Sequence, residues 1–308
     1  MGKHIPVLLN EVIEGLNILP DGIYFDLTLG RGGHSKEILK RLTTGHLYGV
    51  DQDNTAIEES KNNLKDYLDK VTFVHANFSS FKEILKKYEI DHVDGVLMDL
   101  GVSSPQFDEG DRGFSYKEDA VLDMRMDQSN PISAKDIVNN YSLNELARIF
   151  REYGEDKYSY QIAKNIVKER EAAPIETTFQ LVEIIKKSKP QKELKKAGHP
   201  AKQIFQALRI EVNKELEVLE IAVKDAIEAL RPHGGRLAII TFQSLEDRIV
   251  KNIYKDMTVV IGNRYDDGKK QEEKEYRLVN SKPITASEEE LENNNRAHSA
   301  KLRIIERK

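Results

Sequence analysis

The chain contains no cysteine, and that absence removes whole classes of chemistry. There is no disulfide, no thiolate zinc site and no iron–sulfur cluster held by its own thiols. There is also no thiol nucleophile, so covalent attack on ring carbon 6 of a pyrimidine is closed to it. Long apolar runs are missing as well, none approaching the ~20 residues that a membrane span needs. The opening stretch, MGKHIPVLLN, has neither a long apolar core nor a small-residue cleavage site, so it does not read as a secretory signal. Pro6 stands where a myristoylation signal wants Ser or Thr. A cytoplasmic location is the expectation. Net charge is −5, which argues against a surface coated in nucleic acid but leaves room for a local basic patch.

What is present describes a globular protein. Hydrophobic residues make up 39% and charged residues 32% of 308, enough for two domains or for one large domain carrying an insertion. Strand-like runs fall at 23–28, 46–51, 71–75 and 96–98, with helical spacing between them, and this βαβαβαβ order fits a doubly wound parallel sheet. The fourth run, in DGVLMDLGVSSPQF, is apolar enough to be covered on both faces.

Each of these strands ends in residues suited to a ligand, and open α/β sheets bind ligands at that edge. After Asp26 comes Leu29-Gly30-Arg31-Gly32-Gly33-His34-Ser35, with Ser35 placed to cap the helix that follows. Ser35 stands where a dinucleotide fingerprint needs its third glycine, and no Gly-Lys-Ser/Thr follows to make a P-loop. An acid beside Gly-x-Gly-Gly suits the methionine part of S-adenosylmethionine, whose ammonium needs an acceptor and whose carboxylate needs donors. Asp51 lies 21 residues after Gly30, where a ribose-binding acid belongs, while Asp53 is placed to cap the next helix. Phe78, after the third strand, either packs in the core or sandwiches an adenine. In Ser103-Ser104-Pro105-Gln106-Phe107 the proline fixes φ, so that neighbouring carbonyls can accept the hydrogens of an exocyclic amine, and the aromatic offers a stacking face. His4 is either structural or functional.

After Phe107 the pattern changes. Residues 108–130 are charged and loop-like, and helical spacing follows at 133–139, 143–152, 158–170 and 178–187. The stretch 186–202 carries seven lysines against Glu193 alone, which reads as phosphate contact beside a base pocket. Periodicity predicts one helix over 204–230, strands at 236–241, 258–261 and 274–280, a capping box at Thr285 and Glu288, and a terminal strand.

Assembled, these pieces resemble the bacterial family that methylates the N4 amine of a cytidine in 16S ribosomal RNA. The likeness rests on His4-Ile5-Pro6-Val7-Leu8, Asp26-x-Thr28-x-Gly30-x-Gly32-Gly33-His34-Ser35 and Asp99-Leu100-Gly101-Val102-Ser103-Ser104-Pro105-Gln106. It continues through Arg112-Gly113-Phe114-Ser115, Leu122-Asp123-Met124-Arg125-Met126-Asp127, Tyr153-Gly154-Glu155, His199-Pro200-Ala201, Phe205-Gln206-Ala207-Leu208-Arg209, Ser244-Leu245-Glu246-Asp247-Arg248 and Ala300-Lys301-Leu302-Arg303. It implies a Rossmann-like α/β methyltransferase sheet from 1–107 and 201–308, interrupted at 108–200 by an all-helical substrate-recognition domain. It implies S-adenosylmethionine contacts at Gly32, Gly33, His34, Asp51, Phe78, Asp99 and Gln106. Gln243, Phe107 and His298 depart from the residues common in that family, namely His, Leu and Arg.

Cytosine N4 is a poor nucleophile because its lone pair is delocalised into the ring. Ser104, with the carbonyls about Pro105, can accept its hydrogens and favour a tetrahedral nitrogen, while Asp99 contacts cofactor, amine or both. Positioning dominates such a transfer and no metal is required. The 16S RNA is expected as partner, within an assembling small subunit. An NAD oxidoreductase is disfavoured by Ser35 and by the Ser-Pro-Gln-Phe stretch. A non-catalytic RNA-binding assembly factor leaves the cofactor loop unexplained.

Overall fold

A computed structural model describes residues 5–100, 112–258 and 274–308. In chain order it begins with α1 (Leu9–Leu16), β1 (Ile23–Asp26), α2 (Gly33–Leu39), β2 (His46–Asp51), α3 (Asn54–Asn63), β3 (Val71–His75), α4 (Phe81–Lys87) and β4 (Gly95–Asp99). A helical run follows: α5 (Ala134–Asn140), α6 (Leu143–Glu152), α7 (Ser159–Ala172), α8 (Thr178–Ser188), α9 (Gln191–Leu194) and α10 (Lys202–Asn213). The chain then returns through α11 (Glu215–Ala229), β5 (Arg236–Thr241), α12 (Ser244–Thr258), β6 (Tyr276–Leu278), α13 (Glu288–Asn293) and β7 (Lys301–Arg307). Two compact units result, one from Met1–Gly101 with Val218–Lys308, the other from Val102–Glu217. Among the described residues no helix is long and apolar enough to cross a membrane.

The first unit is built on a seven-stranded sheet in the order β3-β2-β1-β4-β5-β7-β6. The five strands β1–β5 run parallel, and β7 enters antiparallel between β5 and β6. Alternation along β4 explains why its apolar run is unbroken. Val96 and Met98 pack with Phe25, Leu237 and Ile239 in the cluster that includes Ala222, Val223 and Ala226 of α11. Leu97 points the other way, joining Tyr24, Leu47 and Ile240 in the cluster with Val12 and Leu16 of α1 and with Ile38 of α2. A sheet with one wet face would leave half of these side chains in water. At the far edge, buried Glu306 of β7 accepts from Arg236 of β5 and Arg277 of β6, both at 2.8 Å, which ties three strands in register.

The second unit has its own apolar core, including Leu146, Phe150, Ile162, Leu181, Ile185, Phe205 and Leu208. Three of its helices start on reciprocal caps: Ser133 with Asp136, Ser142 with Glu145, and Thr177 with Gln180. The unit continues to Glu217 instead of ending near 200, because Ile204, Phe205, Ala207 and Leu208 of α10 belong to this core.

Several local expectations change. The single helix over 204–230 is divided at Lys214, which adopts φ 52°. Apolar spacing survives that break, so periodicity does not reveal it. The cause is tertiary: the Asn213 carboxamide donates to Met124 O (2.9 Å) and accepts from Met126 N (2.7 Å), and Arg209 forks onto Glu215 (2.8 and 3.0 Å). The cap of α13 is Ser287, which accepts from Glu290 N, not Thr285. Asn10 lies within α1, which follows Leu8 in a left-handed conformation. Asn77 accepts from Ser79 N and so caps the short turn Phe78–Ser80 that leads into α4. Asp53 caps α3 as expected, accepting from Thr55 N at 2.8 Å. Thr258 closes α12, and the rest of the strand expected at 258–261 lies outside the described residues.

The basic run is also less uniform than its sequence. Lys189 is buried and donates to Asp156 (2.5 Å) and to the carbonyl of Pro200 (2.7 Å). Removing one partner of a buried pair strands the other charge, at a cost of ~3–5 kcal/mol. Asp156→Ala is therefore expected to lower the unfolding free energy by about 3 kcal/mol in urea titration, and Asp156→Ala with Lys189→Met to recover most of it. A double variant as unstable as the single one would show that the loss is not electrostatic.

Candidate active site

Strand order reverses between β1 and β4, and ligands of open α/β sheets bind beyond the carboxyl ends of the strands at such a point. Asp26, Asp51 and Asp99 are the last residues of β1, β2 and β4. The parallel register aligns Asp26 with Gly49 and Leu97, so the three acids share one edge.

Asp26 is buried. Its Oδ2 accepts from Ser35 Oγ at 2.7 Å and its Oδ1 from Thr28 N at 3.2 Å. Burial raises its pKa, against the lowering pull of Ser35, the His34 ring and Thr28 N, while Asp99 adds to the rise. Ser35 is thus not the cap of α2. The helix opens two residues earlier, after Gly32 at φ 74°, and Ser35 sits inside it with its hydroxyl turned onto the acid. Thr28 also binds the next strand, since its Oγ1 accepts from Asp99 N at 2.6 Å.

The glycine turn is shaped by the chain's own packing. Gly32 is left-handed, and a Cβ there would also lie 3.0 Å from Leu64. A Cβ on Gly33 would fall 2.4 Å from Pro6. Gly30 is held instead by hydrogen bonds: its N–H donates to Asp51 (2.8 Å) and its carbonyl accepts from Ser60 Oγ (2.6 Å). The ring of His34 is buried, with Nε2 2.9 Å from the carbonyl of Val7, so that nitrogen carries the proton and donates. The side chain of His34 therefore fastens segment 5–8 over the turn. Its backbone amide, with that of Gly33, opens α2 and is the part suited to an anion.

Asp51 uses both carboxylate oxygens, Oδ2 toward Gly30 N and Oδ1 toward Asp53 N (2.9 Å). Burial raises its pKa, partly offset by those amides. Phe78 is half-buried against the core in the turn that follows β3. The structure thus gathers Gly32, Gly33, His34, Asp51, Phe78 and Asp99 along the carboxyl side of the sheet. Ser104, Pro105, Gln106 and Phe107 lie outside the described residues. Thr28 entered the sequence reading only as part of the family motif, with no role of its own, and Ser60 was not singled out. An isolated hydroxyl carries no periodic signal, and only the fold brings these two to Asp99 and Gly30.

The long charged motif at 122–127 serves packing. Leu122 and Met124 are buried, the Arg125 guanidinium forks onto Asp123 (2.8 Å to each oxygen), and Arg112 donates to the carbonyls of Arg125 and Met126. Asp123 is accordingly held below the usual carboxylate range, chiefly by Arg125.

A reversal of strand order flanked by three acids and a glycine turn, with an antiparallel strand slotted before the edge, defines a Rossmann-like sheet of the methyltransferase type. The chain belongs to the MraW methylase family, whose model matches residues 1–308. It is 53% identical over 309 residues to the ribosomal RNA small subunit methyltransferase H of Exiguobacterium sibiricum, covering 100% of this chain and 99% of that one. The protein of the same name from Lactiplantibacillus plantarum is 52% identical over 318 residues, covering 99% and 97%.

The buried Asp26 sets a pH dependence. Its folded carboxyl keeps its proton to higher pH than the unfolded one, whose pKa is ~3.9. Between those two values the native state binds more protons, so stability falls as pH rises. Asp26→Asn lacks that fall. Urea midpoints at acid and neutral pH should therefore show the variant gaining on the wild-type protein as pH increases. Parallel profiles would place the titration elsewhere.

Proposed function

We propose that this chain transfers a methyl group from S-adenosylmethionine to the N4 exocyclic amine of a cytidine in 16S ribosomal RNA, in the cytoplasm and within an assembling small subunit. The observation that carries the proposal is the end-to-end match to relatives named as small-subunit ribosomal RNA methyltransferases. The unit containing the sheet is the cofactor-binding part, and the helical unit is the substrate-recognition part.

The residues at the sheet edge fit the cofactor by the chemistry of their donors and acceptors. Asp26 and Asp99 are acceptors for an ammonium, and the amides of Gly33 and His34 are donors for a carboxylate. Each Asp51 oxygen already takes one backbone N–H and keeps a lone pair for a ribose hydroxyl. Phe78 supplies an apolar face for adenine, and Gln106 joins the set through the family likeness. When bound, S-adenosylmethionine supplies a methyl group activated by the positive sulfonium.

The chain's own residues then have to present the amine. Ser104 Oγ and the carbonyls about Pro105 accept the N4 hydrogens, which draws the lone pair out of conjugation. Asp99, whose backbone N–H is held by the Thr28 hydroxyl, contacts the cofactor, the amine or both in this proposal. Loss of one hydrogen bond to a developing charge costs ~2.7–4 kcal/mol, or ~10²–10³ in rate. Small subunits from a strain lacking the gene, treated with enzyme and digested to nucleosides, should yield N4-methylcytidine by mass spectrometry. Ser104→Ala should lower turnover about 10²-fold with little change in cofactor affinity. Appearance of 5-methylcytidine or of a methylated purine would overturn the proposal.

Asp51 has a structural share in the same site. Asp51→Ala removes the ribose acceptor and also leaves the Gly30 and Asp53 amides without their partner. Calorimetry should find cofactor affinity at least ~10-fold weaker, and urea titration a loss of ~1–3 kcal/mol in stability. Unchanged affinity would remove Asp51 from the site.

A further inference from the structure

Within the helical unit a pair of stacked rings lies in a field of lysines, and nothing in the methyl-transfer site accounts for it. Tyr116 and His199 are parallel, with ring centroids 4.3 Å apart and planes at 14°. Beneath them Phe205 is buried in the unit's core and meets Tyr116 edge-on at 5.8 Å and 90°. Phe205 therefore fixes the orientation of the tyrosine, while Tyr116 and His199 both remain partly exposed.

The histidine is fixed in its turn. Its Nδ1 accepts from Ala201 N at 3.2 Å, so in the neutral ring the proton is on Nε2. Burial holds its pKa below the ordinary value, and Lys186, Lys117 and Lys189 act in the same direction. The ring is thus an uncharged aromatic surface with one N–H donor, surrounded by cations. Of those lysines, Lys189 is committed to Asp156, whereas Lys117 is exposed and Lys186 is partly exposed with an exposed partner, Glu183, at 2.9 Å. An exposed ion pair of that kind contributes little and gives way readily to a better anion.

Flat, pre-oriented rings with mobile positive charge around them match a nucleic-acid strand whose bases are open. A base has a π-face for stacking whatever its identity, and the neighbouring phosphates meet the lysines. A duplex hides its base faces and cannot use the rings. We propose that Tyr116 and His199 form a stacking platform for an unpaired base of the RNA substrate, with Lys117 and Lys186 meeting the flanking phosphates. This rests on the reading of the chain as an RNA methyltransferase and adds a second point of contact, to a base other than the one that is methylated.

The test uses the full chain and a fluorescein-labelled single-stranded RNA of about a dozen nucleotides, with a hairpin of the same composition as comparison. Anisotropy should show the single strand bound more tightly than the hairpin. Tyr116→Leu, which keeps an apolar contact on Phe205, should weaken single-strand binding roughly 10-fold and remove the preference over the hairpin. Tyr116→Phe should bind like the wild-type protein. Lys117→Glu with Lys186→Glu should weaken both RNAs and flatten the salt dependence. Cofactor affinity, measured on every variant by calorimetry, should not change, and an unaltered urea-unfolding profile reports that the helical unit is intact. Wild-type binding that Tyr116→Leu leaves unaltered would overturn the platform alone. Wild-type protein that binds neither RNA would overturn the platform together with the substrate reading.

Discussion

A carboxyl group almost out of reach of water ends β1, the middle one of the five parallel strands, and the ligand edge is arranged to satisfy it. Asp26 takes the Ser35 hydroxyl on one oxygen and the Thr28 amide on the other. A buried acid without such partners costs several kcal/mol, so neither neighbour is free to drift. Because Ser35 lies in the first turn of α2, satisfying Asp26 also seats the start of that helix against the sheet. Because the Thr28 hydroxyl accepts from Asp99 N, the same turn fixes the end of β4. One desolvated acid thereby sets the helix amides and the second acid relative to each other. A cationic group of a cofactor placed there would meet a site whose geometry exists before it arrives.

The glycine turn is over-determined in the same way. Asp51 holds Gly30 from β2, Ser60 holds its carbonyl from α3, and Pro6 fills the space beside Gly33. Segment 5–8 is in turn tied down by the His34 ring, by Glu290 accepting from Leu8 N at 2.8 Å, and by Asn294 donating to the Ile5 carbonyl at 3.2 Å. Residues from both ends of the sequence therefore brace a turn only a few residues long. Positioning is what the transfer of a methyl group to a poor nucleophile demands, since an intramolecular arrangement removes most of the entropic barrier.

The parts legible in the sequence were those governed by neighbours in the chain. The apolar run of β4, the order of strands and helices, the Asp53 cap and the placement of acids at strand ends all follow from spacing and local chemistry. The parts that were not legible depend on distant partners. Ser35 looks like a cap because it is a serine before an apolar stretch, and only the buried acid opposite draws it inside the helix. Lys214 has ordinary helical neighbours, and its left-handed backbone follows from the Asn213 side chain reaching to Met124 and Met126. The charged motif at 122–127 resembles chemistry, yet its arginine is spent on Asp123 and on nearby carbonyls. Lys189 looks like its neighbours in a basic run and is instead a buried counter-ion.

Charge explains why such a chain needs two kinds of surface. Three acids at one sheet edge suit a ligand carrying an ammonium and a sulfonium, and the same acids repel a phosphodiester. At physiological ionic strength the screening length is ~8 Å, so the net charge of −5 has little bearing on an encounter with RNA. What matters is the charge within one screening length of the strand. The stretch 186–202 concentrates lysines in the helical unit, and Lys187, Lys192, Lys195, Lys196 and Lys202 are exposed there. A cationic cofactor and a polyanionic substrate thus make opposite demands on local potential. The acids belong to the sheet unit and the lysines to the inserted helices, so each unit carries the local potential that one of these ligands demands, which gives a physical reason for a methyltransferase sheet to be interrupted by a separate helical unit.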